Sequence, residues 1–258
     1  MRKTLPLILL LILATGCAAS FKEKRARSRP IVNLAIHKIQ EDNPHSALID
    51  LVEAKKANPR DPEVYYYTAY AYNMLGNPDK AIENINKAIA LGDLIGFEHP
   101  GMKGDACNLK GDILFGQGKK DKAIKAFEDA FDDDLFTKPE YALYNIGNVY
   151  ISMHEDDEAQ KAYKQALEYN SHYTPAWIKL AGIYTRKGDY ASAIECLRHA
   201  ILESPNYPEA HWELAMLYIK TGNTTKAAEH LEKVIHLDPG KKLARLAVQR
   251  LKDITDVQ

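Results

Sequence analysis

The chain has 258 residues, of which 46% are apolar and 27% charged, with a formal net charge of −1. This is the composition of a globular protein, and it lacks the basic excess of a nucleic-acid binder, so no nucleic-acid partner is expected. Of its three cysteines, Cys107 and Cys196 lie far apart and read as unpaired, partly buried thiols, a disulfide between them being the alternative.

At the start of the chain, Arg2 and Lys3 precede an apolar run from Leu5 to Ala14. The run is roughly ten residues long, well short of the roughly 17–25 that a spanning helix needs, and it reads as the core of a signal peptide. It leads through Leu13, Ala14, Thr15 and Gly16 directly into Cys17. That arrangement resembles the lipobox of bacterial lipoproteins. The resemblance implies that residues 1–16 are removed and that Cys17 carries the lipid, two or three acyl chains holding a protein durably where one holds it marginally. A conventional signal peptide with an incidental cysteine is the alternative. Ala18, where an aspartate would retain the protein elsewhere, implies by analogy with sorting in diderm bacteria an outer-membrane anchor, with the folded domain in the periplasm. Residues 17–27 are small and charged with no apolar period, and read as a lipidated tether. Lys22, Lys24, Arg25 and Arg27 read as solvated, contact with anionic lipid being the alternative.

From Ser28 onward a spacing of thirty-four residues recurs. With starts at Ser28, Pro62, Gly104, Glu140, Thr174 and Pro208, the twentieth position is Ala47, Ala81, Ala123, Ala159, Ala193 and Ala227. The eighth is Ala35, Ala69, Gly111, Gly147, Ala181 and Ala215, and the twenty-seventh is Ala54, Ala88, Ala130, Ala166, Ala200 and Val234. Small residues in fixed columns mark close helix crossings. Leu51, Ile85, Phe127, Tyr163, Leu197 and Leu231 at position twenty-four fill the space between them. Gly76, Gly118, Gly188 and Gly222 at position fifteen end one helix and turn into the next. Pro59, Pro205 and Pro239 close their repeats.

This pattern resembles the tetratricopeptide repeat. The resemblance implies an all-α superhelical solenoid of six helical hairpins, at 28–61, 62–95, 104–137, 140–173, 174–207 and 208–241, followed by a capping helix and tail at 242–258. The array needs a polar outer cap because each hairpin buries its apolar stripe only by stacking. In that last segment Leu243, Leu246, Ala247, Leu251 and Ile254 share one helical face, with Arg245, Gln249, Lys252 and Asp253 on the other. The period breaks between Pro62 and Gly104, where the segment 96–103, "GFEHPGMK", adds eight residues. It reads as a loop, either inert or a contact element.

No catalytic, cofactor or metal set is read in the chain. "HEDDE" at 154–158 lacks a second histidine one turn on and reads as a solvated acidic turn. "GQGKKDK" at 116–122 lacks the serine or threonine of a phosphate loop, and "DDD" at 132–134 reads as an exposed helix end. What remains is a surface. In the tetratricopeptide family the first helix of each hairpin lines a concave groove with positions two, five, nine, twelve and thirteen. Carried onto this chain, that implies a groove, expected as one continuous strip, that includes Tyr66, Tyr70, Met74, Phe115, Tyr144, Asn148, Ile151, Ile178, Trp212 and Met216. Such a largely apolar and aromatic lining fits a protein partner and no small-molecule substrate. Some of these side chains pack between repeats in the alternative reading.

The lipobox, tether and six repeats together resemble the pilotin lipoproteins of type IV pili, the PilF/PilW/Tgl group. The most specific likeness runs over 132–170, with Leu135, Phe136, Pro139, Asn145 and Gly147 at the family's repeat boundary. The resemblance implies a chaperone that helps a secretin subunit reach the outer membrane and form its ring. An envelope scaffold that recruits peptidoglycan enzymes and a subunit of outer-membrane barrel assembly are the alternatives.

Overall fold

The computed structural model describes residues 5–255, with side chains from Lys22 onward. All regular structure among the described residues is helical. A first unit, which ends at Thr137, pairs α1 (Leu5–Gln40) with α2 (Pro44–Ala57), α3 (Pro62–Met74) with α4 (Pro78–Ile95), and α5 (Met102–Gly116) with α6 (Lys120–Phe131). A second unit, which begins at Lys138, pairs α7 (Pro139–Met153) with α8 (Asp156–Tyr169), α9 (Thr174–Arg186) with α10 (Tyr190–Glu203), and α11 (Pro208–Lys220) with α12 (Thr224–Leu237). There α13 (Lys242–Thr255) packs on α12 and α11. Among the described residues no helix is long and apolar enough to cross a membrane.

Helix starts follow local chemistry. Pro44, Pro62, Pro78, Pro139 and Pro208 open their helices, where the missing N–H would be unpaired in any case. Asn43, Asn77, Asp189 and Asn223 cap α2, α4, α10 and α12, each accepting the backbone N–H three residues on. Lys119 and Glu155 stand at the same place before α6 and α8 and make no side-chain cap. At position fifteen Gly76, Gly118, Gly188 and Gly222 are left-handed, and so are the two non-glycine residues of that column, Asp42 (φ 56°) and His154 (φ 63°).

The alanines of position twenty are all fully buried. Positions eight and twenty-four match each other in size. Alanine at position eight accompanies an aliphatic residue, as in Ala69 with Ile85 and Ala215 with Leu231. Glycine accompanies an aromatic ring. A Cβ on Gly111 would lie 2.4 Å from the Phe127 ring, and one on Gly147 would lie 2.5 Å from the Tyr163 ring. Cores pack to near-crystal density, so a larger filler across the hairpin requires a smaller residue opposite.

Four expectations are corrected. Lys22 to Arg27 are not an irregular tether, because they belong to α1, and Arg25 reaches Glu63 and Glu98. Cys17 and Ala18 lie before the side chains that the structure describes. On α13, Leu246 is exposed and Ala244 is buried in its place, so the packed face is rotated toward Leu243, Ala244, Ala247, Leu251 and Ile254. The acidic turn at 154–158 is not merely solvated, since Arg186 binds Asp156 with two bonds of 2.9 and 2.7 Å and Lys187 binds Asp157 at 2.7 Å. In the 132–134 run, Asp133 is not a free helix end. Its Oδ2 accepts the Gly104 N–H at 2.8 Å and so caps the first turn of α5, which has no cap from its own N-terminal residue.

Candidate partner-binding surface

In the first unit α3 presents Tyr66, Tyr70 and Met74 at intervals of four, on one helical face. Tyr70 and Met74 are the exposed members, at 39% and 38%. Tyr66 turns inward and packs on the cluster of Tyr65, Ala69, Ile85, Leu109 and Ile113, with its ring edge-on to Tyr67 at 4.9 Å. Burial pushes its phenol well above the usual range and that of Tyr67 up to about 12. On α5 Phe115 is half-buried, and burial lifts the Asp112 carboxyl to about 6.

In the second unit the expected residues divide. Tyr144 is half-buried among rings, 5.6 Å from Tyr163 and 5.3 Å edge-on from Tyr173. Asn148 is committed internally, its side-chain oxygen accepting the Tyr163 hydroxyl at 2.9 Å. Ile151 and Ile178 are half-buried. Trp212 and Met216 pack against the C-terminal cluster of Ala215, Leu231, Val234 and Ala247, so they serve the core beneath α13 as much as a surface.

Three aromatic residues at the repeat boundaries were missed. Tyr141 is 43% exposed and lies 5.0 Å from Tyr173, extending the ring cluster outward at the start of α7. Tyr173 and Tyr207 both occupy the last position of a repeat, one residue before the next first helix, and that recurrence was a usable signal. A larger feature lies on the other side of α9. A cleft of about 830 Å³ between α8 and α10 is floored by Trp177, Leu180 and Tyr184 and flanked by Leu167, Ile194 and Cys196. Trp177 stacks on His199 at 4.7 Å. Burial raises the Cys196 thiol to about 11, and that of Cys107 likewise, so both are protonated and weakly reactive. Both are free.

Sequence profiles described as tetratricopeptide repeat match residues 32–93, 104–132, 150–204 and 184–251, which is most of the chain. The chain belongs to the tetratricopeptide-repeat family. It is similar in structure to PilF of Pseudomonas aeruginosa, with a TM-score of 0.71 and 17% identity over 88% of this chain and 99% of that one. It is equally similar to PilW, described as a widely conserved type IV pilus biogenesis factor, with a TM-score of 0.71 and 18% identity over 86% and 98%. At these identities the likeness is one of fold. Among curated proteins, the BBSome complex member BBS4 of Bos taurus is 34% identical over 166 residues, 64% of this chain and 31% of that protein. Anaphase-promoting complex subunit 3 of Schizosaccharomyces pombe is 25% identical over 171 residues, 24% of its length. The match therefore spans less than a third of either curated relative. Tetratricopeptide repeats are protein-interaction scaffolds, and this chain is such a scaffold with the fold of the pilus factors PilF and PilW.

Proposed function

We propose that this scaffold is a pilotin: a protein anchored through Cys17 to the outer membrane, facing the periplasm, that holds secretin subunits of a type IV pilus while they assemble into a ring. The observation that carries the reading is the end-to-end likeness to PilF and PilW, which leaves almost none of either neighbour unmatched. The short apolar run before Cys17 supports the anchor. Exposed Tyr70, Met74 and Tyr141 supply contact area without a fixed cofactor. A membrane-held carrier raises the local concentration of the subunits that it binds, and ring formation is concentration-dependent.

Two measurements test this. Cys17→Ser should abolish labelling by a radioactive fatty acid and move the protein out of the outer-membrane fraction; label retained on the serine variant overturns the anchor. Tyr70→Ala with Tyr141→Ala removes exposed rings and little core, so circular dichroism should be unchanged while the heat-resistant secretin multimer on a gel falls several-fold, each lost anchor being worth about 2 kcal/mol. Normal multimers in a strain lacking the whole gene would overturn the secretin assignment and favour a scaffold for peptidoglycan enzymes.

A further inference from the structure

The eight extra residues between the second and third hairpins reach back to the first helix. Glu63, in the first turn of α3, is 1% exposed, and a buried carboxylate persists only when it is paired and hydrogen-bonded. Its Oε1 accepts the backbone N–H of Glu98 at 3.1 Å, faces Nδ1 of His99 at 3.3 Å and lies 3.5 Å from Arg25. Its Oε2 pairs with Arg29. Glu98 closes the ring of charge, with its carboxylate 3.2 Å from Nε of Arg25 and 3.3 Å from Nη1 of Arg29. Arg29 also donates to Nε2 of His99 at 2.9 Å, consistent with the tautomer in which Nδ1 carries the proton toward Glu63.

The loop itself is held at both ends. Phe97 lies in a notch over Gly92, where a Cβ would sit 2.0 Å from the ring, and left-handed Gly101 lies so close to the Leu135 carbonyl that a Cβ would sit 2.4 Å from its oxygen. A second pin lies beside it, since the buried Ser28 hydroxyl donates to Asp61 at 2.9 Å and Asp61 caps α3. Arg25 lies ahead of the first repeat, and it is held both by Glu63 at position two of the second repeat and by Glu98 of the loop.

We propose that the 96–101 loop is a clasp that locks the start of the array and makes residues 22–28 a rigid helical arm instead of a flexible tether. The chain ahead of the first hairpin thereby leaves it at residue 22 in a set direction. This does not depend on the pilotin reading, because it concerns only contacts within the first unit.

Glu63→Gln risks the fold, so the decisive variant is Glu98→Ala with His99→Ala, whose side chains are 41% and 52% exposed. Hydrogen exchange of the purified full chain, resolved by peptide, is the measurement. In the wild type, amides 24–29 should be protected at least about tenfold over a free helix end, and the double variant should lose that protection while residues 81–91 of α4 keep theirs. Trypsin should cut after Lys24, Arg25 and Arg27 correspondingly faster in the variant. Unprotected amides 24–29 in the wild type, or equal protection in both proteins, would overturn the clasp.

Discussion

Hairpins α7–α8 and α9–α10 stand side by side in the same unit, and they are built by different means. In α9–α10 the two crossing positions are Ala181 and Leu197, both buried, the turn is made by left-handed Gly188, and Asp189 caps α10 by accepting the Ser192 N–H at 3.1 Å. Each part is local to the hairpin. In α7–α8 the crossing is Gly147 under the fully buried Tyr163 ring, the turn residue is left-handed His154, and Glu155 makes no side-chain cap. The first turn of α8 instead carries Asp156, Asp157 and Glu158, which favour the positive end of the helix dipole, and Asp156 and Asp157 are held by Arg186 and Lys187 at the end of α9. The fourth hairpin thus borrows from its neighbour what the fifth supplies for itself. That is how one fold tolerates departures from its own pattern.

The sharpest way to break this contrast is at the crossing. Gly147→Ala puts a methyl group into the Tyr163 ring within a filled core, so unfolding in urea should show a loss of about 2–3 kcal/mol. Adding Tyr163→Leu reproduces the alanine and leucine pair of the fifth hairpin and should return more than half of that loss, a coupling visible in a double-mutant cycle. Ala181→Gly in the fifth hairpin empties a buried position and weakens a helix interior, at a cost of about 1 kcal/mol. Additive losses at Gly147 and Tyr163 would mean that the two positions are not matched in size.

Acid should separate the hairpins next. In the sixth hairpin His211 and His230 meet through their Nδ1 atoms at 2.9 Å, and His230 stacks on Tyr218. Burial, then His211, Lys226 and Lys233, push His230 down to about 4. An unfolded histidine near 6.5 binds the proton that the folded one refuses, so this contribution is whole above pH 6.5 and is lost as the pH falls from 6.5 to 4. Arg186 holds the Asp156 carboxyl below its usual range, and so the fourth hairpin's ion pair persists to lower pH and fails only beneath the normal carboxylate value of 3.8. Hydrogen exchange at pH 7 and pH 5 should show α12 loosening while α8 is unchanged. His230→Phe should flatten the difference.

The order of these features explains what could be read from the residues alone. Alanine at position twenty and glycine at position fifteen answer to geometry within a single hairpin, recur at fixed spacing, and were legible. The pairing of Gly111 with Phe127 and of Gly147 with Tyr163 was visible as two columns, yet its meaning needed the ring positions. Arg25 and Glu63 are 38 residues apart, and the clasp links them through a loop with no counterpart in the other repeats, so no periodicity announces it. On the candidate surface, Tyr70 and Met74 follow from helical spacing. Trp212 and Met216 do not, because α13 covers the end of the array and draws them into its core. Tyr173 and Tyr207 end their repeats, one residue before the first helices whose positions define the groove.

The caps give a smaller but direct comparison. Asp189→Ala removes a side-chain acceptor from an unpaired N–H and should cost about 1 kcal/mol, while Glu155→Ala at the equivalent place removes no hydrogen bond and should cost a few tenths at most. Chemical denaturation of the two variants measures this, and equal losses would show that Glu155 acts through charge at the helix start.

The smallest effect should be a gain. His154 is the fourth hairpin's turn residue at φ 63°, a region in which a Cβ crowds the following carbonyl, whereas Gly188 occupies the same place in the fifth hairpin without that penalty. His154→Gly relieves the crowding but also frees the unfolded chain, and the two effects oppose each other. Because the left-handed cost for a residue with a side chain is about 1–2 kcal/mol and the added unfolded-state entropy of glycine is about 0.5–1 kcal/mol, the net should be a stabilisation of about 0.5 kcal/mol. A rise of about 1–2 °C in melting midpoint is the expected result for a domain of this size. A fall would mean that the His154 side chain makes a contact worth more than its strain, and the fourth hairpin would then depend on its turn residue as well as on Arg186 and Lys187.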